Sequence, residues 1–379
     1  MLARMDTQHF DILIIGAGIA GASAAAALCA DHRVALIEAE EQAGYHSTGR
    51  SAAIWVQNYG PPDVRLLSRL SRSFFESPPP GFADAPLMRR RPSLFLATEA
   101  QRDKLERTIA EGTGVRAITP DAARAMLPAL RPGYAVAAAL EHDSFDMDVA
   151  AIHSGFLRQL RIAGGVIALR HRAGRIARAP RGWDVETSAG TVFHAPVIVN
   201  AAGAWGDEIA TLAGARPIGL TPCRRSAAII DPSPWNVSEW PLVGDVGDTW
   251  YARPEARTRL MVSPADATPT HAHDVRPDEL DIATAIARMQ DALAIEVHRI
   301  EHSWAGLRSF TPDGSLCFGW DPTVAGFFWC VGQGGYGIQT SPAAGRLVAD
   351  LIAGRDPGAA AGAIRAIDPS RFGPVSLTN

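Results

Sequence analysis

The apolar positions near the start of the chain predict a buried strand–helix–strand unit. Residues 10–15 (FDILII) are almost continuously apolar, as in a parallel strand that is covered on both faces. The sequence continues through GAGIAG into an alanine-rich segment that predicts a helix ending near Ala30. A second apolar run at 33–37 ends at Glu38. This order of elements is the fingerprint of a dinucleotide-binding βαβ unit.

The three glycines of the fingerprint have separate expected roles. Gly16 permits the tight turn, Gly18 lets the backbone approach a pyrophosphate, and Gly21 lets helix and strand pack closely. The helix N-terminus offers unpaired N–H groups to the phosphates. Glu38 is expected to accept hydrogen bonds from ribose hydroxyls, which disfavours NADP. This unit alone does not distinguish NAD from FAD.

Two later stretches are predicted to return to the same sheet. Residues 195–203 (APVIVNAAG) form a buried strand that ends in small residues. Residues 326–337 (GFFWCVGQGGYG) form a strand and a glycine-rich turn, whose N–H groups can face a cofactor. An amphipathic helix follows at 338–353. The dinucleotide-binding domain is therefore expected to be discontinuous.

The sequence thus predicts an α/β protein with two domains. A Rossmann-like cofactor domain takes residues 1–84, 143–217 and 306–379. A substrate domain of α+β type, with a mixed or antiparallel sheet, takes residues 85–142 and 218–305.

Composition narrows the class of protein. Of 379 residues, 47% are hydrophobic and 20% are charged, which indicates a globular chain with a large core. The net charge of −4 does not indicate a protein that binds nucleic acid. Lys104 is the single lysine, so there is no P-loop and a Schiff base is not expected. The four scattered cysteines form no zinc or disulfide pattern. With no secretory pattern at its start and glycines interrupting residues 12–30, the chain is expected to be cytoplasmic, without a transmembrane segment.

Four further motifs carry a family resemblance. They are GYHSTGRSAA (44–53), NAAGAW (200–205), WAGLRSFTPDG (304–314) and GQGGYGIQTS (332–341). Together with GAGIAG, and in this order, they resemble the D-amino-acid-oxidase-like FAD-dependent oxidoreductases, and most of all the bacterial D-arginine dehydrogenase type. The resemblance implies a two-domain FAD-binding fold that oxidises amines next to a carboxylate.

The resemblance also implies which residues contact FAD. They are Ile15, Gly16, Ala17, Gly18, Ile19, Ala20, Gly21, Glu38, Ala39, His46, Ser47, Thr48, Gly49, Arg50, Ser51, Ala52, Ala53, Ala201, Ala202, Gly203, Trp205, Gly306, Arg308, Gly334, Gly335, Tyr336, Gly337 and Ile338. Sarcosine-oxidase-type relatives carry a flavin-linked cysteine just after the arginine that corresponds to Arg308. Ser309 and Phe310 stand there in this chain, so FAD is expected to be non-covalent, with Cys317 in the core.

The substrate residues are likewise implied by the resemblance. Arg225 and Arg308 correspond to a carboxylate clamp, for which the guanidinium fork is suited, and Tyr251 adds a phenol donor. Tyr59 resembles a lid over the pocket and Gln339 is retained. Two positions depart from the D-arginine dehydrogenase pattern: Ile54 replaces a histidine and Ser93 replaces the glutamate that pairs with a cationic substrate.

These departures predict a neutral or apolar substrate side chain, because a buried substrate cation without a partner is costly. The alternative is that Asp84 or another acid replaces the missing glutamate.

Other polar residues are expected to be structural. His46 is interpreted as a loop-ordering residue, and HAHD (271–274) as a polar loop that caps the next helix, so no metal site is expected. The basic run at 89–91 is expected to be solvated.

The sequence therefore predicts a flavoenzyme that oxidises the Cα–N bond of a D-amino acid by hydride transfer to flavin N5. The imino acid product is then hydrolysed to a 2-oxo acid and ammonia. Oxidation of a secondary amine or a 2-hydroxy acid is the nearest alternative, and a non-catalytic flavin-binding subunit of a larger complex is another. A dehydrogenase is favoured over an oxidase because no lysine is expected near the flavin. A quinone or another carrier is the expected electron acceptor, which would place the protein peripherally at the inner membrane.

Overall fold

The fold is known from a computed structural model, which describes residues 7–52 and 54–373. In chain order the strands are β1 (Thr7–His9), β2 (Ile12–Ile15), β3 (Val34–Ile37), β4 (Ile54–Val56), β5 (Met88–Arg90), β6 (Ser93–Ala97), β7 (Val115–Ile118), β8 (Ala137–Glu141), β9 (Ser144–Met147), β10 (Val166–Ala168), β11 (Ala173–Ala179), β12 (Gly182–Thr187), β13 (Val192–Ala195), β14 (Val197–Asn200), β15 (Thr221–Ile230), β16 (Leu242–Asp245), β17 (Tyr251–Glu255), β18 (Arg259–Ser263), β19 (Thr268–Pro269), β20 (Ile300–Phe310), β21 (Cys317–Trp320) and β22 (Phe327–Val331). The helices are α1 (Ile19–Leu28), α2 (Pro62–Glu76), α3 (Arg102–Glu111), α4 (Pro120–Met126), α5 (Val149–Ile162), α6 (Gly206–Leu212), α7 (Glu279–Ala292), α8 (Gly337–Ala353) and α9 (Ile364–Ile367).

The cofactor-binding half is built on a six-stranded sheet in the order β10-β3-β2-β14-β22-β21. All neighbours pair in parallel except β21, which is antiparallel to β22. The four strands predicted from apolar runs are β2, β3, β14 and β22, and they lie side by side. The Rossmann-like fold and its discontinuous chain path are confirmed.

Both faces of this sheet are covered, which explains why its strands are apolar throughout. Along β2, Ile12 and Ile14 pack with α1 and α8 in one hydrophobic cluster, while Leu13 and Ile15 join the cluster on the opposite face. Helices α1 and α8 pack closely because Gly345 has no side chain: a Cβ there would lie 2.5 Å from the carbonyl oxygen of Ser23.

The second large sheet has nine strands, in the order β19-β15-β18-β17-β16-β6-β8-β7, with β20 paired to β15. Only β16 and β6 are parallel, so the sheet is mixed, as predicted. Strand β20 stays paired with β15 as far as Phe310, beyond the boundary predicted at 306. The exact domain boundaries remain a prediction.

A four-stranded sheet (β1-β13-β12-β11) and a three-stranded sheet (β4-β9-β5) complete the fold. The three-stranded sheet corrects one expectation about the basic run at 89–91. Arg89 and Arg90 are exposed, but Arg91 is buried and is paired with Asp146 on β9 and with the carbonyl oxygen of Trp240. A buried guanidinium needs such partners, and residues distant in the sequence supply them.

The expected core position of Cys317 is confirmed. Its side chain on β21 is fully buried, one strand away from the equally buried Cys330 on β22. Burial raises the pKa of Cys317 to about 12, so the thiol is kept protonated and unreactive.

Candidate active site

The glycine-rich turn between β2 and α1 is shaped to bring backbone close to a ligand. Gly16 has a φ of +106°, and a Cβ there would lie 2.5 Å from the carbonyl oxygen of Ala201 at the end of β14. Gly21 lies so near the turn that a Cβ would be 1.9 Å from the carbonyl oxygen of Gly16. These two positions exclude any side chain, as the fingerprint predicts.

The N-terminus of α1 is suited to bind an anion. Its first turn contains no acidic residue, and its N-cap Gly18 supplies no side-chain hydrogen bond. Thr48, from the loop at 44–53, accepts the N–H of Ile19 at 2.9 Å. Glu38 accepts the N–H of Ala17 at 2.8 Å. The turn is thereby held while the helix dipole remains available to a pyrophosphate.

A cavity of about 300 Å³ lies in front of this turn. The glycine-rich turn between β2 and α1 (the pyrophosphate turn) lines this cavity, as do Glu38, Ala39, His171 and Arg172. A helix N-terminus and a carboxylate on the wall of one cavity fit a dinucleotide. The fingerprint and the loop at 44–53 supply most of the residues that would hold such a cofactor here.

A second cavity, of about 100 Å³, continues from the first. The two share part of their lining, namely Ile19, Ser47, Thr48, Leu307, Gln333 and Gly334. Arg225, Tyr251 and Arg308 all line the second cavity. The cofactor cleft therefore leads directly to the predicted carboxylate-binding residues.

The strand register explains why the two arginines meet. Arg225 on β15 lies opposite Gly306 on β20, and Arg308 lies two residues further along β20. Residues directly opposite in an antiparallel pair, and residues two apart on a strand, share a face. Arg225 and Arg308 are therefore diagonal neighbours on the face of the sheet that looks toward the flavin site.

Each arginine is oriented by a fixed partner. The Nε of Arg225 donates to the carbonyl oxygen of Asp266 at 2.5 Å, which turns its terminal fork toward the cavity. Arg308 donates from Nη1 to the phenol oxygen of Tyr59 at 2.8 Å. Gly335 leaves room for this pair, since a Cβ there would lie 3.0 Å from both the Arg308 guanidinium carbon and the Tyr59 phenol oxygen.

The electrostatics of the cavity favour an anion. Burial opposes the charge of Arg308, yet the surrounding phenols of Tyr59, Tyr251 and Tyr336 raise its pKa above the ordinary value. Burial likewise opposes ionisation of Tyr251, but the charges of Arg308 and Arg225, with hydrogen bonds to Ser263 and Arg225, bring the pKa of Tyr251 below its ordinary value. Two half-buried cations on one sheet face attract a carboxylate.

The loop at 44–53 is fastened to both halves of the molecule. Ser47 donates to the carbonyl oxygen of Leu307 at 2.6 Å. The Arg50 guanidinium donates to Val275 and Ala305 and forms an ion pair with Asp274 at 2.5 Å. Arg50 lines the second cavity. Its side chain holds the loop against β20 and against the segment before α7.

His46 and the predicted polar loop at 271–274 have structural contacts. His46 lies 3.1 Å from Glu40 and its ring packs against Trp205 with centroids 4.6 Å apart, in keeping with a loop-ordering role. His271 and His273 stack on each other. Within residues 7–52 and 54–373, no group of His, Cys, Asp and Glu side chains is arranged to hold a metal ion.

Most of the predicted FAD contacts line one of the two cavities. Those that do are Ile15, Gly16, Gly18, Ile19, Ala20, Glu38, Ala39, His46, Ser47, Thr48, Arg50, Ser51, Ala52, Ala201, Ala202, Gly203, Trp205, Gly306, Arg308, Gly334, Gly335, Gly337 and Ile338. The other predicted contacts that the structure describes do not line either cavity; they are Ala17, Gly21, Gly49 and Tyr336. Ala53 lies outside the described residues. No cysteine lines either cavity in the described part of the chain; the non-covalent attachment of FAD remains a prediction.

Four predicted substrate residues are not on the cavity wall. Tyr59 lines neither cavity and reaches the site through its hydrogen bond to Arg308. Gln339 is buried, and its amide binds the hydroxyl of Ser68 at 2.7 Å and the backbone of Val56. Ser93 is fully buried and donates to Ser144 at 2.8 Å. Ile54 pairs with β9 and lines neither cavity. Ser93 and Gln339 cannot touch a substrate in this structure, because their polar groups are used inside the protein.

The sequence analysis did not single out several other residues of the site. Leu307, Gln333 and Trp304 line the second cavity and belong to motifs already noted, so a wider choice of motif positions would have included them. Glu141 accepts the N–H of Gln57 at 3.2 Å, two residues before Tyr59, and burial raises its pKa. It anchors the segment that carries Tyr59, and nothing in its local sequence indicates this.

Comparison with known proteins decides the family. The model of the DAO family, FAD dependent oxidoreductase, matches residues 11–351. The chain belongs to the DAO family. This assignment establishes FAD as its cofactor and places it in an enzyme class of oxidoreductases.

Individual DAO-family members are distant in sequence but close in fold. Glycine oxidase from Geobacillus kaustophilus is 25% identical over 363 residues, covering 91% of this chain and 93% of that protein. The bovine (Bos taurus) FAD-dependent oxidoreductase domain-containing protein 1 is 25% identical over 412 residues, covering 92% and 83%.

Solved structures agree with this fold. The Geobacillus kaustophilus glycine oxidase structure has a TM-score of 0.81 at 22% identity, covering 92% of this chain and 96% of that one. L-proline dehydrogenase from P. horikoshii has a TM-score of 0.79 at 21% identity, covering 97% and 98%. At these identities the likeness shows the fold and leaves the substrate open, and it does not show the D-arginine dehydrogenase type. Separately, no helix in the described part of the chain is long and apolar enough to cross a membrane.

Proposed function

We propose that this protein oxidises the Cα–N bond of a D-amino acid with a neutral or apolar side chain. The observation that carries the proposal is the pair Arg225 and Arg308, which share one sheet face at the end of the FAD cleft. Two guanidinium forks and the phenol of Tyr251 form a binding site for a carboxylate. A substrate held there by its carboxylate presents its α-carbon toward the cofactor.

The side chains of the site orient the substrate and exclude water from around it. Bound FAD would supply the acceptor for a hydride from the substrate α-carbon. The arginines fix the carboxylate end of the substrate, and Tyr59, bonded to Arg308 and packed edge-on against Tyr336, covers the same end. Holding the α-carbon in one position relative to the cofactor supplies the proximity that hydride transfer requires.

The lining of the second cavity supports a neutral substrate side chain. No aspartate or glutamate lines it in the described part of the chain. Asp84, the acid considered as a replacement for the missing glutamate, is exposed and lines neither this cavity nor the FAD cleft. A cationic side chain would enter a site that already holds two arginines and would lack a partner.

The D configuration is supported by the resemblance of the motifs at 44–53 and 332–341. DAO-family relatives include a glycine oxidase, and the proteins of similar fold include an L-proline dehydrogenase and an L-α-glycerophosphate oxidase. Oxidation of a secondary amine or a 2-hydroxy acid by the same carboxylate-binding pair is therefore the second candidate.

An anaerobic substrate panel tests the proposal. We expect D-leucine, D-methionine, D-phenylalanine or D-proline to bleach the flavin absorbance faster than D-arginine, D-lysine and all L-enantiomers. D-arginine as the best substrate would contradict the assignment of the side-chain pocket. Bleaching only by glycine, sarcosine, L-proline or a 2-hydroxy acid would favour the second candidate, and a flavin that no compound bleaches would favour a non-catalytic subunit.

We also propose that the reduced enzyme passes its electrons to a carrier such as a quinone. A positive charge near flavin N5 promotes reaction with oxygen, and a lysine supplies it in some related enzymes. Lys104 is the only lysine here, and it is an exposed partner of Asp248 at 3.5 Å, away from both cavities.

Oxygen use is measured by hydrogen peroxide production. We expect turnover with an artificial quinone acceptor to exceed peroxide-forming turnover at least about tenfold. Peroxide formed in stoichiometric amounts, at the rate seen with the artificial acceptor, would contradict a dehydrogenase.

A further inference from the structure

His153 is a buried polar residue that the site described above does not use. It lies on α5, which packs against α1, and only 8% of the residue is exposed. Its Nε2 lies 2.9 Å from the carbonyl oxygen of Ala17, inside the pyrophosphate turn. A carbonyl oxygen can only accept, so Nε2 carries the hydrogen and donates.

The peptide groups of Ala17 are therefore held from two directions. Its N–H donates to Glu38 at 2.8 Å, and its carbonyl oxygen accepts from His153. Glu38 belongs to the sheet side of the turn and His153 to a helix more than 130 residues away in sequence. Glu38 therefore orients the peptide unit before Ala17, and His153 orients the peptide unit between Ala17 and Gly18.

The same histidine ring supports the second FAD-binding loop. Gly44 has a φ of +76°, and a Cβ at this glycine would lie 2.9 Å from Cε1 and 3.2 Å from Nδ1 of His153. The carbonyl oxygen of Gly44 accepts the N–H of Gly49 at 2.8 Å, which closes the loop that carries Ser47 and Thr48. The ring thus fills the space between this loop and the pyrophosphate turn.

The protonation state of the ring suits this position. Burial lowers the pKa of His153, and the bond to Ala17 offsets only part of that effect. The neutral ring donates from Nε2 and keeps Nδ1 free of hydrogen on the side of Gly44.

We propose that His153 is a positioning residue for FAD, which locks the pyrophosphate turn and the loop at 44–49 in the geometry that binds the cofactor. Its effect is on pre-organisation, because the ring does not line the cavity. Losing it leaves the carbonyl oxygen of Ala17 buried without a donor and opens the space against Gly44. The proposal concerns the cofactor and holds for any substrate.

The test measures how tightly the holoenzyme retains FAD. His153→Phe fills the space but removes the donor, whereas His153→Gln keeps an N–H donor. Flavin fluorescence released on dilution gives the dissociation constant and the release rate. We expect His153→Phe to raise the dissociation constant about tenfold or more, and His153→Gln to stay within about threefold of the unmodified protein.

His194→Phe is the matched control, because His194 is also partly buried and bonded, to Asp184 at 2.7 Å, but lies on β13 away from the cleft. It should retain FAD normally, and both phenylalanine variants should unfold at similar temperatures once FAD is removed. If His153→Phe does not fold, His153→Leu serves as the removal variant. Unchanged FAD retention in the removal variant, or equal loss in the His194 control or in His153→Gln, would overturn the proposal.

Discussion

Arg308→Ala is expected to lower kcat/KM by about 100-fold or more while FAD stays bound. Arg308 lines the second cavity beside three phenols, and its half-buried fork is available to the substrate carboxylate. Each charge-assisted bond contributes about 1.5–3 kcal/mol. Two such bonds correspond to at least about two powers of ten in kcat/KM.

Three further variants make this result specific. Arg308→Lys retains the charge without the fork and should recover part of the loss. Arg259→Ala removes an arginine of the same sheet that is paired with Glu301 at 2.6 Å and lines neither cavity, so its kinetics should be unchanged. Arg225→Ala should resemble Arg308→Ala. Normal kinetics in both Arg225→Ala and Arg308→Ala would rule out the carboxylate-binding assignment.

Gly21→Ala is expected to abolish FAD binding and to destabilise the cofactor domain. The new Cβ would lie 1.9 Å from the carbonyl oxygen of Gly16 and 3.2 Å from Leu36, so α1 must move away from the turn. Overpacking of this kind costs about 1–3 kcal/mol, and more when backbone is displaced. FAD content, measured from the flavin absorbance of purified protein, should fall below about a tenth of normal.

Gly174→Ala is the control for this change. Gly174 also lies in the cofactor half, and the nearest atom to its Cβ would be 3.7 Å away, an ordinary contact. Full FAD content in both variants would contradict the close packing of α1 on the turn. Loss in Gly21→Ala alone locates the effect at the pyrophosphate site.

The elements that could be predicted are those whose signal is local. The βαβ unit can be predicted because an apolar run, three glycines and an acidic residue occur in one short stretch of sequence. The unit itself requires each of them. Arg225 and Arg308 were found through motifs, and the register of β15 and β20 explains their proximity. The motifs alone identify the two arginines, whereas their proximity depends on the pairing of two strands that are distant in sequence.

The residues that could not be predicted depend on partners far away in the sequence. Arg91 reads as part of a solvated basic run, yet β9 and the segment before β16 bury it. His153 and Glu141 lie in ordinary amphipathic or strand segments, and their partners are Ala17 and Gln57. Motif resemblance located Ser93 and Gln339 but could not show that their side chains point into the protein.

The central claim is that a substrate is bound by its carboxylate and oxidised at the adjacent carbon. Anaerobic flavin reduction by D-leucine and by 3-methylbutylamine, which is leucine without its carboxylate, tests it most directly. Binding by Arg225 and Arg308 predicts that D-leucine bleaches the flavin at least about 100-fold more efficiently than the amine. Equal efficiency for the two compounds, or bleaching by the amine alone, would contradict the claim.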